Sequence, residues 1–156
     1  MQTLILIAAI IMVASTISEA KTVLQQSSFA WPLKIAIKIT SGFTAMRGDR
    51  PHAAIDLAAP ENTPVYAMAN GVVTAVWNDT VNGGGLSMTI KHANGFTTGF
   101  AHLNKNNFLQ PGSTVQRGQL IALSGNTGHS TGPHLHIKMR NEKGQAVNPL
   151  NYLPPL

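Results

Sequence analysis

The sequence predicts an all-β fold: antiparallel β-sheet arranged as a sandwich in a single domain, with long loops that form a groove. After residue 63, short runs of alternating or β-branched residues recur along the chain. No 12-residue window of this part shows a helical stripe of apolar residues, and the 14 glycines and nine prolines suit a chain with many turns. Turn signals separate the runs at Asn70-Gly71, Asn94-Gly95, Pro111-Gly112 and Arg117-Gly118.

The individual strands follow from these runs in chain order. Ile35, Ile37 and Ile39 alternate with other residues and predict a first strand, which a breaker at residues 40–42 ends. Residues 43–62 are expected to be irregular. Asn94-Gly95 predicts a two-residue hairpin. The later strands are expected over VYAMA, GVVTAVW, LSMTIKH, FTTGFAHL, STV, QLIALSG and HLHIKM.

The first twenty residues have the pattern of a secretory signal peptide. An apolar run from Leu4 to Ala14 is shorter than the roughly 20 residues that a spanning helix needs. Small residues at Ser18 and Ala20 then mark a possible cleavage site before Lys21. No Lys or Arg precedes the run, so an uncleaved anchor is the alternative. We therefore expect a signal peptide over residues 1–20, a loose lead-in over 21–39, the functional domain over 40–156, and a periplasmic or extracellular location.

The composition excludes several classes of function. The chain has no Cys, which rules out disulfides, thiolate metal sites and Cys nucleophiles. Its 11 Lys and Arg against six Asp and Glu give a net charge of +5, but no basic run has the form of a nucleic-acid-binding arm. The excess charge is either a solvated basic surface or an attraction to a polyanionic cell envelope. Any metal site must use His, Asp or Glu.

Two short motifs supply suitable metal ligands. His134 and His136 flank Leu135, and residues i and i+2 of a strand point to the same face. His52 and Asp56 add a nitrogen and an anionic oxygen, both of which suit zinc. Two His and one Asp make a three-ligand set that leaves a fourth position for water, as in a catalytic zinc site. The residues alone do not decide which of His134 and His136 binds the metal.

The other histidines have different expectations. His102 lies on the strand after the predicted hairpin, where it can reach the face of His134. His92 falls just before the hairpin, and a structural role there is expected. His129 sits in a glycine-rich segment and is expected to be solvated.

Longer motifs carry a resemblance to a known family. Over about residues 40–153 the chain resembles the lysostaphin/LytM-type zinc metallopeptidases, which cut peptides in bacterial cell walls. The matching stretches are Ser41-Gly42-Phe43 with Arg47, the His52/Asp56 motif in HAAIDLAAP, Thr63 to Val73, His102-Leu103, and Ser130 to His136 in STGPHLH.

The resemblance implies a role for each site residue. His52, Asp56 and His136 would bind one Zn²⁺ per chain, and His102 and His134 would be the catalytic pair beside the activated water. The implied substrate is a peptidoglycan cross-bridge or stem peptide. We expect a monomer, with no nucleic-acid partner and no stable membrane insertion after cleavage of the signal peptide.

Three residues depart from the pattern of the family. Ala54 stands where a Gly is usual, Phe100 where a Tyr is frequent, and Lys138 where an acidic residue is common. None of them removes a ligand. The alternative function is therefore a weak or inactive module of the same fold, which binds peptidoglycan or activates another wall hydrolase.

Overall fold

Twelve short strands make up most of the regular structure in the described part of the chain. The computed structural model describes residues 12–13, 29–105 and 109–156, so the predicted signal peptide, apart from Met12 and Val13, lies outside the described residues. The strands are β1 (Ile39–Ser41), β2 (Met46–Arg47), β3 (Arg50–Pro51), β4 (Ile55–Ala58), β5 (Pro64–Tyr66), β6 (Gly71–Asn78), β7 (Leu86–His92), β8 (Thr97–Lys105), β9 (Thr114–Val115), β10 (Leu120–Ser124), β11 (His134–Arg140) and β12 (Ala146–Val147), and a short 3-10 helix follows at Pro149–Asn151.

The strands form one large sheet and one small hairpin. The large sheet runs β1-β4-β11-β8-β7-β6-β9, with β12 beside β11, and β10 joining β8 to β5; β2 and β3 form the hairpin. All strand pairs among the described residues are antiparallel. The all-β, sandwich-like prediction is confirmed, and the sheet does not close into a barrel. No helix in the described part of the chain has the length and apolar character to cross a bilayer.

The central strand β11 separates a core face from an open face. Leu135, Ile137 and Met139 are fully buried, and each such side chain stabilises the fold by about 1.5–3 kcal/mol. The intervening residues point to the opposite face, which starts with His134 and His136. Because β11 pairs with β4 on one side and β8 on the other, burial of its apolar residues fixes the register of both neighbours.

The hairpin between β7 and β8 is one residue longer than predicted. The amide of Gly95 donates to the His92 carbonyl (3.0 Å), and the amide of His92 donates to the Phe96 carbonyl (2.9 Å). Gly95 has φ 86°, so the loop is a turn followed by a left-handed glycine. The prediction of a two-residue turn is therefore wrong, because a three-residue loop uses the same Asn-Gly pair with Gly in its last position.

The N-terminal part of the described chain also differs from expectation. The strand predicted over residues 35–39 is instead β1 at Ile39–Ser41, and residues 43–62 include β2, β3 and β4 rather than being irregular. Phe29 is completely buried, and the indole of Trp31 donates to the Pro154 carbonyl at 3.0 Å. From Phe29 onward, the segment expected to be a loose lead-in is packed against the domain.

Candidate metal centre

Neighbouring strands bring the two short motifs together. His136 of β11 lies directly opposite Asp56 of β4, and His134 lies opposite Ala58. On its other side, His136 lies opposite Ala101 of β8. Since alternate residues of a strand share a face, His134 and His136 both stand on the open face that carries the Asp56 carboxylate.

Three donor atoms converge at this face. Nδ1 of His136 lies 2.8 Å from Oδ1 of Asp56, Nε2 of His52 lies 3.3 Å from the same oxygen, and the two ring nitrogens are 3.2 Å apart. Ligand bonds of about 2.0–2.1 Å in a tetrahedral zinc site space the ligand atoms about 3.3–3.4 Å apart. The three atoms therefore have nearly the spacing of ligands around one small cation.

Local backbone bonds position His52. Its amide donates to the Ala45 carbonyl (2.7 Å), and the next amide, of Ala53, donates to Phe43 (2.9 Å). Ala53 takes the left-handed conformation with φ 54°, which turns the chain towards Asp56. Ala54, where the family usually has Gly, is fully buried and lies outside the left-handed region. The Ala54 methyl group therefore does not keep His52 and Asp56 apart.

The hydrogen bonds of His52 leave its Nε2 free to bind a cation. Its Nδ1 lies 3.2 Å from the Gly42 carbonyl and 3.3 Å from the Ser41 hydroxyl. Because a carbonyl only accepts, the proton sits on Nδ1, and Nε2 presents a lone pair to the site. Burial lowers the pKa of His52, and the positive charges of His136 and Arg47 act in the same direction, against the opposing effect of Asp56. His52 is thus neutral at pH 7, as a metal ligand requires.

Asp56 is held as an anion. Burial raises the pKa of its carboxyl group, but the hydrogen bond from His136 and the charges of His136, His52 and His134 outweigh burial, so the pKa is lowered overall. Arg47 donates to Oδ2 at 2.7 Å, while the histidines face Oδ1. The two carboxylate oxygens therefore have separate partners.

A cation would satisfy these groups together. Oδ1 of Asp56 and Nε2 of His52 are both acceptors, and Nδ1 of His136 carries at most one proton to share between them. One proton cannot satisfy both acceptors, so without a cation two lone pairs in this cluster face each other. Two imidazole nitrogens and a carboxylate oxygen are also a donor set that zinc prefers. His52, Asp56 and His136 therefore fit a zinc ion.

His102 reaches the site through a β-bulge. Leu86 and Met88 of β7 are two positions apart, whereas their partners on β8, Leu103 and Phe100, are three positions apart. β8 therefore carries one extra residue here. His102 lies in this bulge with φ 57° and is only 9% exposed. Non-glycine residues with positive φ store strain and occur often at functional sites. The bulge turns His102 towards β11, and its ring centroid lies 4.7 Å from that of His134.

Both His102 and His134 have one ring nitrogen tied to a backbone carbonyl. Nδ1 of His102 donates to Thr127 at 2.8 Å, and Nδ1 of His134 donates to Gly132 at 2.8 Å. Each Nε2 is then the unprotonated nitrogen of the neutral ring. Nε2 of His134 lies 3.7 Å from Oδ1 of Asp56. Burial lowers the pKa of His102, which favours the neutral ring at pH 7.

A second, overlapping set of ligands is also possible. His102, His134 and His136 each offer a ring nitrogen within 4.8 Å of the others. This set lacks a carboxylate, whereas the set with His52 and Asp56 is anionic and has its three atoms 2.8–3.3 Å apart. The chemistry of the donors therefore favours the carboxylate set and leaves His102 and His134 beside it.

The accessible side of the centre is that of β11. The side chains of His52 and Asp56 are 6% and 7% exposed, whereas those of His134 and His136 are 17% and 22% exposed. Two loops wall the site next to His102: the amide of Gly128 donates to Thr80 (2.8 Å), and that of His129 donates to Gly83 (2.9 Å). Among the described site residues, the more exposed rings of His134 and His136 therefore leave the side of β11 accessible to a substrate.

His92, His129 and Phe100 lie outside the cluster of ligands. His92 is buried, donates through Nδ1 to Asn70 and accepts from the Thr98 hydroxyl, both at 2.8 Å, which is a structural role. His129 is exposed, as expected. Phe100 is fully buried in the core.

The sequence did not predict the backbone groups that orient the site residues. The carbonyl of Thr127 fixes His102 from 25 residues away in sequence, and Gly84 accepts from the His102 amide at 2.7 Å. No sequence signal identifies either contact. Ser41 and Arg47 did appear in a motif, but not their contacts with His52 and Asp56.

Two imidazoles and a carboxylate beside a pair of further imidazoles have the chemistry of a metal-dependent hydrolase site. The sequence model of peptidase family M23 matches residues 50–149, a range that includes all five site residues. The chain belongs to peptidase family M23. Its resemblance to the lysostaphin/LytM-type peptidases is confirmed.

Known relatives cover most of this chain. The DD-carboxypeptidase/endopeptidase Mpg of Neisseria meningitidis serogroup B is 45% identical over 106 residues, which are 68% of this chain and 24% of that protein. The peptidoglycan DD-endopeptidase ShyA of Vibrio cholerae serotype O1 is 36% identical over 139 residues, 85% of this chain and 31% of that protein. The chain thus spans about a quarter to a third of the length of these relatives.

A solved structure gives a similar result. The catalytic domain of the antimicrobial peptidase lysostaphin from Staphylococcus simulans superposes with a TM-score of 0.64 at 28% identity, over 73% of this chain and 90% of that chain. The similarity therefore extends over nearly the whole of that catalytic domain.

Proposed function

We propose that this protein is an exported zinc metalloendopeptidase that hydrolyses peptide bonds in bacterial peptidoglycan, in the cross-bridge or the stem peptide. The observation that carries the proposal is the convergence of Nε2 of His52, Oδ1 of Asp56 and Nδ1 of His136 within 2.8–3.3 Å of one another. The names of the relatives, DD-carboxypeptidase/endopeptidase and peptidoglycan DD-endopeptidase, support this class of substrate.

The three proposed ligands would contribute different groups to the metal site. His52 and His136 would bind it as neutral imidazoles, and Asp56 would contribute the negative charge. Zinc, when bound, polarises a substrate carbonyl as a Lewis acid and brings the pKa of a coordinated water to about 7. The exposed edges of His134 and His136 leave the side of β11 open to a substrate.

His102 and His134 would handle protons and charge in the reaction. With Nδ1–H donated to Thr127, the neutral His102 presents Nε2 as an acceptor for the proton of the attacking water. In its protonated form His134, on the accessible side, would donate a hydrogen bond from Nε2 to the developing oxyanion, and the proton that His102 takes from the water would pass to the leaving amine. The bonds to Thr127 and Gly132 hold both rings in place before the substrate arrives.

The test compares zinc content and hydrolysis of purified peptidoglycan in wild type, His134→Ala and His136→Ala. We expect one zinc per chain and released peptide fragments for wild type. His134→Ala should keep the zinc and lose activity, and His136→Ala should lose both. A wild type that binds zinc but cuts no peptidoglycan would overturn the proposal in favour of a binding or activating module. A wild type without zinc would overturn the metal site itself.

A further inference from the structure

The open face of β11 continues from the metal centre as a row of cations. Lys138 and Arg140 follow His136 at alternate positions, so they point to the same face of the sheet. At about 3.3 Å per residue, the Cα atom of Lys138 lies about 7 Å beyond that of His136. Arg50 of β3, on the hairpin beside the site, is near enough for its charge to act on Lys138. We call Lys138, Arg140 and Arg50 the cationic row.

The cationic row lacks a counter-charge among the described residues. None of the ion pairs found there joins a carboxylate to Lys138, Arg140 or Arg50, and the guanidinium of Arg140 instead donates to the Gly144 carbonyl at 2.6 Å. Lys138 is exposed, and Arg140 follows it on the same face of the strand. A bound anion would offset the repulsion between these like charges.

The surface next to Lys138 is free of a side chain. Gly99 of β8 lies directly opposite Lys138 and has Thr89 of β7 on its other side. A Cβ atom at Gly99 would make only ordinary contacts, 3.7 Å from Thr89 and 3.8 Å from Lys138, and Gly99 lies outside the left-handed region. Neither packing nor backbone conformation requires glycine there. Its effect is to keep the face between Lys138 and Thr89 open for a bound chain.

We propose that Lys138, supported by Arg140 and Arg50, binds a carboxylate of the peptide substrate and so selects acidic peptides over neutral ones. The carboxylate would belong to a residue about two positions from the scissile bond, because an extended peptide also rises about 3.3 Å per residue. This assignment rests on the proposed endopeptidase function. It predicts that stem peptides with free carboxylates are preferred to uncharged bridges such as oligoglycine.

The experiment uses two synthetic cross-linked peptides that differ at one group. One carries a carboxylate two residues from the scissile bond, and the other carries a carboxamide there. Each is tested for cleavage by the zinc-loaded full chain, and for equilibrium binding to the non-cleaving His134→Ala variant. The variants are Lys138→Gln, Lys138→Arg and, as a control of equal charge change, Lys143→Gln, which is exposed in the turn after β11.

We expect Lys138→Gln to reduce kcat/KM and affinity for the carboxylate peptide by about 10- to 100-fold, the value of a charge-assisted hydrogen bond. The effect on the carboxamide peptide should be much smaller. Lys138→Arg should retain most of the preference, and Lys143→Gln should retain all of it. Equal losses on both peptides, or no loss on either, would overturn the assignment.

The two readouts separate this inference from the proposed function. If wild type cuts neither peptide nor peptidoglycan, but the carboxylate peptide still binds more tightly and loses that advantage in Lys138→Gln, the endopeptidase proposal fails and the anion site stands. If wild type cuts both peptides equally and Lys138→Gln does the same, the endopeptidase proposal stands and the anion site is wrong.

Discussion

Arg47 binds one oxygen of Asp56 and leaves the other to the histidines. Its Nη2 lies 2.7 Å from Oδ2, while Oδ1 faces His52 and His136. The same guanidinium nitrogen donates to the Ser41 hydroxyl at 3.1 Å, and that hydroxyl lies 3.3 Å from Nδ1 of His52. One arginine therefore orients two of the three proposed ligands, although its own side chain is 51% exposed.

The first prediction concerns this arginine. Arg47→Ala should weaken zinc binding by about 10- to 100-fold, as is typical when a partner of a metal ligand is removed. The reason is that Oδ2 loses its donor and the carboxylate is free to rotate. Competition with a chromophoric chelator measures the affinity. Arg50→Ala is the matched control, since it removes the same charge from the same hairpin without touching Asp56. Equal losses in both variants would show that only the net charge matters.

The second prediction separates the two possible ligand sets. His52→Ala should reduce the bound zinc to well below one per chain, because it removes a ligand of the carboxylate set. His102→Ala should keep the zinc and lose about 10²- to 10⁴-fold in kcat, the usual contribution of a general acid or base. Metal analysis and peptide hydrolysis on the same preparations measure both. Zinc loss in His102→Ala with retention in His52→Ala would assign the metal to the set of three histidines.

The third prediction concerns the two loops that hold His102. Gly128 has φ 72°, and a Cβ atom there would collide with the backbone of Gly85 and Gly83. Gly128→Ala should therefore displace Thr127, the partner of His102, and lower kcat towards that of His102→Ala with zinc retained. Kinetics and zinc content measure this. Gly83→Ala is the control, because Gly83 also has positive φ (52°) but has open space around it. Equal activity of the two variants would contradict the proposed coupling.

The fourth prediction is a dependence of stability on pH. Burial lowers the pKa of His92 below its usual value of 6.5, so the folded chain resists a proton that the unfolded chain accepts. The stabilisation from neutral His92 is complete above pH 6.5 and is lost as the pH falls from there towards the lower pKa of the folded state. The Tm of the metal-free protein should therefore fall as the pH is lowered from 7.5 to 5.

His92→Gln isolates this contribution. The amide side chain does not titrate, so the Tm of this variant should start lower but fall less steeply on acidification than that of wild type. His129→Gln, at an exposed position, should follow the wild-type profile. Thermal melts by circular dichroism provide the measurement. A His92→Gln profile as steep as that of wild type would assign the acid sensitivity to other groups.

Local pattern predicted much of the fold and the ligand types. His134 and His136 share a face because period-two alternation is a property of any strand, and the burial of Leu135 anchors that face. The convergence with Asp56 could be expected from residue chemistry, since a carboxylate between apolar neighbours needs a partner when it is buried.

Other features depend on tertiary contacts that no local pattern encodes. The strand expected at residues 35–39 lies at Ile39–Ser41 because pairing with β4, not alternation, sets its position. The bulge at His102 lies where the partner of β8 changes from β11, last paired at Ala101, to β10, first paired at Leu103, while β7 pairs on both sides of it. The longer hairpin at Gly95 reflects turn geometry that an Asn-Gly pair alone does not specify.

The bulge in β8 also has a consequence for how this architecture can diverge. The proposed cation ligands lie on β4, on β11 and in the turn before β4, whereas the position of His102 depends on a bulge and on a loop 25 residues away. The ion-binding residues and His102 therefore depend on different segments of the chain. A short deletion in the loop that contains Thr127 should remove the proposed proton transfer by His102 and leave the proposed ion ligands in place. Loss of this one backbone contact would therefore turn the proposed hydrolase into a module that still holds the ion but no longer cleaves.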